Sequence, residues 1–389
     1  MLPGILREDK LKVTGGMWRT LLGRWWYDRR ARALFLQLAA AAGIVAVAAW
    51  IVDTTAAHLA ERNMSAGFGF LHQHAGFVIG ETLIPFDAQD SYLRAVMVCG
   101  LNTVFVSLLA CVAATILGAV IGLGRLAANP VLQRLASLYV LAFRNSPLLL
   151  QMILWYALLQ ALPPVRQALS IAGSIFLSQR GLRLPSLEVE PGALLAAAGA
   201  IVVAVVLVSR VGLRWRLPVL IAALLIGAAA LSGRVGVDIP ERRGFNFAGG
   251  LEVTPEFTAL FAGLTLYYAA YIAEIVRGGI LAVPQGQWDA ARALGLSARR
   301  VMRHVVVPQA LRVITPPLTM EYVGLIKSSS LGILVGYPEL FWSVSAMIGQ
   351  TGHAIEGIAI LMLAYLVPSL SASAAMNAFN RRLLRTSAA

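Results

Sequence analysis

The sequence predicts an all-α, polytopic membrane protein with about eight transmembrane helices. Hydrophobic residues make up 58% of the 389 positions and charged residues only 13%, and the mean hydropathy is +0.74. Soluble proteins carry roughly 25% charged residues, so this composition does not fit a water-exposed globular surface. Several windows of about 20 residues contain no charge, and a helix of that length crosses a hydrocarbon layer of roughly 30 Å.

Eight windows are predicted to span the membrane. Six of them are uncharged, one contains Arg144, and one contains both Glu321 and Lys327. In chain order the windows are 33–52, 95–124, 135–162, 193–209, 217–233, 257–273, 313–337 and 357–379.

Basic residues predict the orientation of these spans, because Lys and Arg concentrate in short cytoplasmic loops. With the N-terminus inside, 22 Lys and Arg residues fall on the cytoplasmic side, eight on the opposite side and two within spans. We therefore expect both termini to be cytoplasmic. The net charge of +13 is explained by this topology, and no nucleic-acid partner is expected.

The chain divides into segments of different composition. The basic leader and the first apolar run are both longer than those of a cleaved signal peptide, so we expect the first span to remain as an anchor. The insertion is predicted to form a lipid-facing accessory hairpin. The segments are a cytoplasmic leader 1–32, a first span 33–52, a periplasmic segment 53–94, a membrane domain 95–379 with the insertion 163–256, and a cytoplasmic tail 380–389.

The loop 277–312 differs from its surroundings in charge and spacing. Residues 287–294 are good helix formers, Gly295 suits a left-handed position that ends a helix, and Ser297 can cap the next one. Pro308 discourages continuation. We expect two short helices that fit a partner's groove, although a loop lying on the membrane surface would show a similar pattern. The apolar side of these helices is predicted to carry Ala290, Ala291, Leu294, Val301 and Met302.

The spacing in this loop resembles a family motif. The pattern Asp289-Ala-Ala-x-x-x-Gly295-x9-Val305-x-Val307-Pro308 is similar to the EAA loop of binding-protein-dependent ABC importer permeases, with Asp in place of Glu and Val at both aliphatic positions. The resemblance implies a type I ABC importer permease fold. It also implies an ATPase-coupling role for Asp289, Ala290, Ala291, Gly295 and Pro308.

Two further stretches indicate which group of ABC importer permeases the chain resembles. Arg144-Asn-Ser-Pro-Leu-Leu-Leu-Gln151 and Lys327-Ser-Ser-Ser-Leu331 are similar to signatures of the polar amino acid permeases related to the histidine and glutamine systems. The extra first span and the insertion 163–256 look like those of the larger permeases of general L-amino-acid and glutamate/glutamine/aspartate/asparagine importers. This implies a bacterial inner-membrane permease with alternating access.

The resemblance also implies partners. They are a second, different permease subunit, ATP-binding cassette subunits, a periplasmic solute-binding protein and an amino acid substrate. None of the lysines Lys10, Lys12 and Lys327 follows a glycine, so the chain has no P-loop, and we expect no catalytic residue and no cofactor. The alternative is a secondary amino acid transporter not coupled to ATP, which would not need the EAA-like loop.

Ionisable residues inside a membrane are costly and often functional. Glu274 and Lys327 are candidates for contact with the substrate. Their alternative roles are structural: Glu274 could form an ion pair with Arg277 one turn away, and Lys327 could extend its charge to the membrane surface or stabilise helix packing. The predicted substrate pathway consists of Glu274, Lys327, Ser328, Ser329, Ser330 and Gln151.

Two histidines and three glycines in the sequence are not expected to form ligand sites. His72 and His74 lack a third ligand, so no metal site is expected. Gly118, Gly122 and Gly124 are small residues on one span, which favours close helix packing over ligand contact.

Overall fold

The fold is mainly helical and falls into two units, Met1–Phe68 and Gly69–Ala389. A computed structural model describes residues 29–61, 67–171, 173–189 and 235–385. In the first unit, α1 covers Arg29–Glu61. Within α1, the stretch Arg32–Trp50 is long and apolar enough to cross a membrane, in agreement with the first predicted span.

The second unit contains helices α2 to α10 among its described residues. A π-helical turn, Met302–Val306, separates α7 from α8, and a 3-10 helix, Ser329–Val335, follows α8. The helices are α2 Tyr92–Gly124, α3 Pro130–Asn145, α4 Leu148–Gln160, α5 Pro255–Leu281, α6 Gln285–Ala293, α7 Ala298–Val301, α8 Val307–Ser328, α9 Leu340–Thr351 and α10 Ala354–Arg385.

Six of the eight predicted spans correspond to described helices. Five helical stretches are long and apolar enough to cross a membrane, and the pair α3 and α4, bent by 105°, forms a sixth candidate. The predicted spans 193–209 and 217–233 lie outside the described residues. The helical content and the spans therefore agree with the polytopic α-helical class that the sequence predicts.

Two glycines of α2 face the middle of α5. A Cβ at Gly118 would lie 2.8 Å from the carbonyl oxygen of Ala269, and one at Gly122 would lie 2.7 Å from that of Ala273. Real Cβ atoms do not approach so closely, so both positions require glycine. The predicted role of Gly118 and Gly122 in close helix packing is confirmed. Residues of α2 and α5 also form much of the main buried cluster.

The bend between α3 and α4 is stabilised by a buried amide. The chain turns at Ser146 and Pro147, where the carbonyl groups at the end of α3 lose their helical donors. The Gln151 Nε2 group donates to the carbonyl oxygen of Phe143 at 3.0 Å and to the Ser146 hydroxyl oxygen at 2.7 Å. A side chain from the first turn of α4 thus donates hydrogen bonds to acceptor groups at the end of α3 that lack a helical donor.

The described part of the insertion contains short strands that the sequence does not predict. β1, β2, β3 and β8 form an antiparallel sheet in that order, β4 pairs with β5, and β6 pairs with β7. Strands of three or four residues are too short to show a clear alternation of apolar and polar positions. They are β1 Leu169–Ile171, β2 Ile175–Ser178, β3 Gly181–Leu184, β4 Ser186–Val189, β5 Val235–Asp238, β6 Glu241–Arg243, β7 Asn246–Ala248 and β8 Leu251–Val253. We call this region, 163–189 and 235–253, the β module.

The segment 69–91 packs on α2 and α9. Its buried residues Phe70 and Ile79 belong to one apolar cluster with Val96 of α2 and Leu340 of α9. The segment therefore covers the ends of two helices with its own hydrophobic residues.

Glu81 connects this segment to the start of α5. The Thr254 hydroxyl, which also caps α5, donates to the Glu81 carboxylate, and Asn102 Nδ2 donates to the Glu81 carbonyl oxygen at 2.8 Å. Burial raises the pKa of the Glu81 carboxyl to about 7; the Thr254 hydrogen bond opposes this rise, and the nearby Glu256 and Glu252 carboxylates add to it. The carboxyl therefore titrates near neutral pH.

Helix α9 begins at a fully buried carboxylate. Glu339 accepts hydrogen bonds from the backbone N–H groups of Phe341 at 2.8 Å and Trp342 at 2.7 Å. It also accepts one from the Tyr365 hydroxyl at 2.6 Å. Such N-capping satisfies backbone donors that the helix leaves free, so Glu339 joins α9 to α10.

Replacing Gly122 with Ala tests the close approach of α2 and α5. The new methyl group would meet the Ala273 carbonyl oxygen at 2.7 Å, and overpacking of this kind costs about 1–3 kcal/mol. We expect a lower thermal unfolding midpoint in detergent. The matched control is Gly349→Ala in α9, where an added Cβ meets nothing within 4 Å. Equal midpoints for the two variants would contradict this packing.

Candidate functional site

Within the EAA-like loop, residues 277–312, the two short helices α6 and α7 follow the end of α5 at Leu281. Gly295 has a φ of +75°, so the predicted left-handed turn is confirmed, and it separates α6 from α7. A residue with a Cβ is disfavoured in this backbone region. Ser297 occupies the N-cap position of α7 but makes no side-chain capping bond.

A small apolar core lies beneath the loop. Ala291 of α6 and Val301 of α7 are 4% and 1% exposed. They belong to a cluster with Ile280 of α5 and Ala310 and Ile314 of α8. The two short helices are therefore packed against both long helices and do not hang free.

The outer surface of the loop differs in part from the predicted apolar side. Ala291 and Val301 point inward and Met302 is half-buried, whereas Ala290 is exposed and Leu294, next to the turn, is 81% exposed. The predicted apolar side is thus divided, because two of its members form the core beneath the loop. Leu294 and Ala290 remain available on the surface.

Asp289 lies on the same outer surface. Its Oδ1 accepts a hydrogen bond from Gln285 Nε2 at 3.3 Å and lies 3.9 Å from Arg292 Nη1. An exposed, long ion pair of this kind contributes little to stability. Among the described residues, the Asp289 carboxylate therefore has no strong partner.

Pro308 does not interrupt the helix, which corrects the sequence-based expectation. The π-helical turn Met302–Val306 continues directly into α8, and Pro308 lies in the first turn of α8. Pro308 donates no N–H bond, but the wider π turn before it leaves room for the ring, so the chain stays helical. The loop is thus continuous with the span that follows it.

Glu274 is paired on two sides. Its Oε1 lies 2.5 Å from Arg277 Nη2, and its Oε2 accepts a hydrogen bond from Arg125 Nη1. The possible ion pair between Glu274 and Arg277 is therefore present. Arg125, which directly follows α2, is a partner that sequence spacing could not reveal.

The four residues from Lys327 to Ser330 make different contacts. Lys327 is exposed, and the Ser328 hydroxyl lies 2.8 Å from the hydroxyl of Tyr268. The hydroxyls of Ser329 and Ser330 donate to backbone carbonyl oxygens three residues earlier, at 2.7 and 2.8 Å. The three serine hydroxyls are thus engaged within the protein.

A cavity of about 810 Å³ lies between the end of α2, α3 and α5. Its lining includes Arg125, Arg134, Arg144, Tyr271 and Glu274. The Arg144 guanidinium lies 5.0 Å from the centre of the Tyr271 ring, a cation–π distance. Three arginines and one paired carboxylate give the cavity a positive character.

The structure separates the predicted pathway residues into three places. Glu274 lines the cationic cavity, Gln151 holds the bend between α3 and α4, and Lys327 to Ser330 lie at the end of α8. Tyr268 and Tyr271 are not predicted as site residues from the sequence, because tyrosines in an apolar span give no distinctive signal.

Comparison with known proteins gives one family match. Residues 114–385 match the family described as binding-protein-dependent transport system inner membrane component. The matched range includes the whole EAA-like loop, the cavity and the β module.

Similar proteins cover almost the whole chain. The putative amino-acid ABC transporter permease YhdX of Escherichia coli is 42% identical over 90% of this chain and 94% of its own length. The general L-amino acid transport system permease AapQ of Rhizobium johnstonii is 39% identical over 96% of each chain. The glutamate/glutamine/aspartate/asparagine permease BztB of Rhodobacter capsulatus is 35% identical over 92% of this chain and 95% of its own.

Among solved structures, the crystal structure of an amino acid ABC transporter with histidines aligns with a TM-score of 0.48 at 22% identity. It covers 75% of this chain and 95% of the other. The family match over well more than half of the chain, together with the near full-length identities, establishes its membership. This chain belongs to the family of binding-protein-dependent transport system inner membrane components, the membrane permeases of ABC importers.

Proposed function

We propose that this chain is the permease subunit of an inner-membrane importer for polar L-amino acids, driven by ATP hydrolysis on a separate subunit. The observation that carries the proposal is the structure of the EAA-like loop. Its outer surface exposes Asp289, Ala290 and Leu294, and its inner side packs in one core with α5 and α8. Membership of a binding-protein-dependent family and the names of the similar permeases support the amino acid substrate. A secondary transporter would have no use for such a loop.

The proposed partners follow from this role. An ATP-binding cassette subunit would dock on the EAA-like loop from the cytoplasm, and a solute-binding protein would deliver substrate to the opposite face. A second permease, different from this chain, would complete the membrane part, as the resemblance to the polar amino acid permeases implies.

The proposed coupling runs through the core beneath the loop. Ala291 and Val301 pack against Ile280 of α5 and Ala310 of α8. A displacement of the loop by a docked ATPase would therefore carry the ends of both helices, since packed interiors transmit movement with little compression. Such rigid-body movement between two packings is the general form of alternating access.

The proposed substrate pathway contains the six residues predicted from the sequence, and the structure suggests a different role for each part of the set. Lys327 supplies an exposed cation for a substrate carboxylate, while Ser328, Ser329 and Ser330 shape the end of α8. Glu274 anchors Arg125 and Arg277 at the edge of the cationic cavity. Gln151 is a positioning residue that fixes the bend next to Arg144.

Two substitutions in the loop test the coupling role. Gly295→Asp places a side chain at a φ of +75°, which costs roughly 1 kcal/mol, and it adds a charge to the docking surface. Asp289→Lys reverses the charge there. We expect both variants to reach the membrane, lose amino acid uptake and retain less ATPase in a pull-down.

The matched control for the loop variants is Gly286→Ala on α6. An added Cβ at Gly286 meets nothing within 4 Å, so we expect uptake and ATPase retention to stay at wild-type levels. Normal uptake and ATPase binding by Gly295→Asp and Asp289→Lys together would refute the coupling assignment.

Lys327→Met tests the cation in the pathway. Methionine keeps the apolar stem and removes the charge, so the complex should assemble. We expect a rise in the KM for amino acid uptake of about tenfold, the size of a lost charge-assisted hydrogen bond of 1.4 kcal/mol or more. Unchanged uptake kinetics would leave Lys327 with a packing role only.

The charge distribution predicts a topology that reporter fusions can measure. Fusions after Gly16 and Ala389 should report a cytoplasmic location, and fusions after Gly67 and Glu241 an external one. The reason is the excess of Lys and Arg on the cytoplasmic side. A cytoplasmic signal at Glu241 would place the β module inside the cell and overturn the proposed orientation.

A further inference from the structure

The β module and the EAA-like loop lie at opposite ends of α5. Strand β8 ends at Val253, two residues before α5 begins, and the short helix α6 begins at Gln285, just after α5 ends. A helix of 27 residues is about 40 Å long. The β module is therefore on the face away from the proposed ATPase contact.

Three arginines of the β module are held in fixed positions around the β6–β7 hairpin. The Arg166 guanidinium lies 3.6 Å from the centre of the Phe245 ring, and that of Arg242 lies 5.5 Å from the centre of the Phe176 ring. Arg180 Nη1 donates to the Asn246 side-chain oxygen at 3.1 Å. We call Arg166, Arg180, Arg242 and Phe245 the arginine patch.

The charges of the arginine patch are not neutralised within the described part of the chain. Among the described residues, none of the guanidinium nitrogens of Arg166, Arg180 and Arg242 lies within 4 Å of a carboxylate oxygen. By contrast, Arg183 pairs with Glu252 at 2.6 Å and Arg243 with Glu241 at 3.6 Å. All three patch arginines are exposed, as is Phe245, with 69% of its surface accessible.

We infer that the arginine patch is a docking contact for the solute-binding protein and that it binds carboxylates on the surface of that protein. The inference rests on the proposed function, which supplies the orientation and the partner. Arginine and aromatic residues are enriched in protein interfaces. A planar guanidinium offers two parallel N–H donors to a carboxylate.

The fixed geometry favours a protein partner over lipid headgroups. Cation–π contacts with Phe245 and Phe176 and the hydrogen bond to Asn246 hold the guanidinium groups in place before any partner arrives. Preorganised side chains lose less entropy on binding, which matters for recognition of fixed carboxylates. Attraction to a fluid lipid surface needs no such order, and the exposed Phe245 ring adds apolar contact area.

The test uses the full transporter in nanodiscs and, as the probe, the purified binding protein that stimulates its ATPase activity. Binding is measured for the wild type, for the double variant Arg166→Gln and Arg242→Gln, and for Arg243→Gln. Arg242 and Arg243 are neighbours on β6 and point to opposite faces of the strand, so Arg243→Gln is a matched control.

We expect the Kd of the double variant to rise at least tenfold and that of Arg243→Gln to change less than threefold. The wild-type Kd should also rise with salt concentration, and this dependence should be weaker in the double variant. Glutamine keeps a hydrogen-bonding side chain without the charge. Equal melting midpoints of the wild type and the double variant show that the β module stays folded. If the double variant melts lower, Arg180→Gln, which leaves both arginine–phenylalanine contacts in place, must show the same weakening.

Other results overturn the inference. An unchanged Kd in the double variant would remove the arginine patch from the docking surface while the proposed function stands. A change that appears only when anionic lipid is varied in the nanodisc would assign the patch to the membrane instead. If no binding protein stimulates the wild-type transporter, the proposed function itself fails.

Discussion

The close approach of α2 and α5 is the constraint on which the other contacts depend. Lipid tails are as apolar as leucine, so membrane helices associate through van der Waals packing and hydrogen bonds. Gly118 and Gly122 let the backbone of α2 approach α5 where any side chain would collide with a carbonyl oxygen. With α5 fixed in this way, the β module and the EAA-like loop are positioned at its two ends.

Polar contacts join other elements to the two ends of this helix pair. At the end near the EAA-like loop, Glu274 of α5 binds Arg277 and Arg125, so the end of α2 is joined to α5. At the other end, Thr254 binds the carboxylate of Glu81. An ionisable group within or beside a membrane is costly unless it is paired. The contacts of Glu274 with Arg125 and of Glu81 with Thr254 also connect segments that are far apart in the chain.

The EAA-like loop combines a buried and an exposed surface within about 20 residues. Ala291 and Val301 join the core with α5 and α8, whereas Leu294 and Asp289 face outward. The π-helical turn keeps the loop continuous with α8 despite Pro308. A partner that binds the outer surface would therefore act on two long helices through direct packing, which is the arrangement that the proposed coupling requires.

Local sequence patterns were enough to predict the apolar spans among the described residues, the left-handed turn at Gly295 and the close packing at Gly118 and Gly122. These features depend on local hydropathy, on the backbone freedom of glycine at Gly295 and on its missing side chain at Gly118 and Gly122, all of which can be read from short windows. The three-dimensional packing was needed to show which side of each loop helix is buried, that Arg125 pairs with Glu274 from 149 residues away, and that Glu339 is fully buried. It also decided the pairing of β3 with β8 across the insertion. These contacts join distant segments, and their energy arises only when packing brings the partners together and removes water, so no local pattern encodes them.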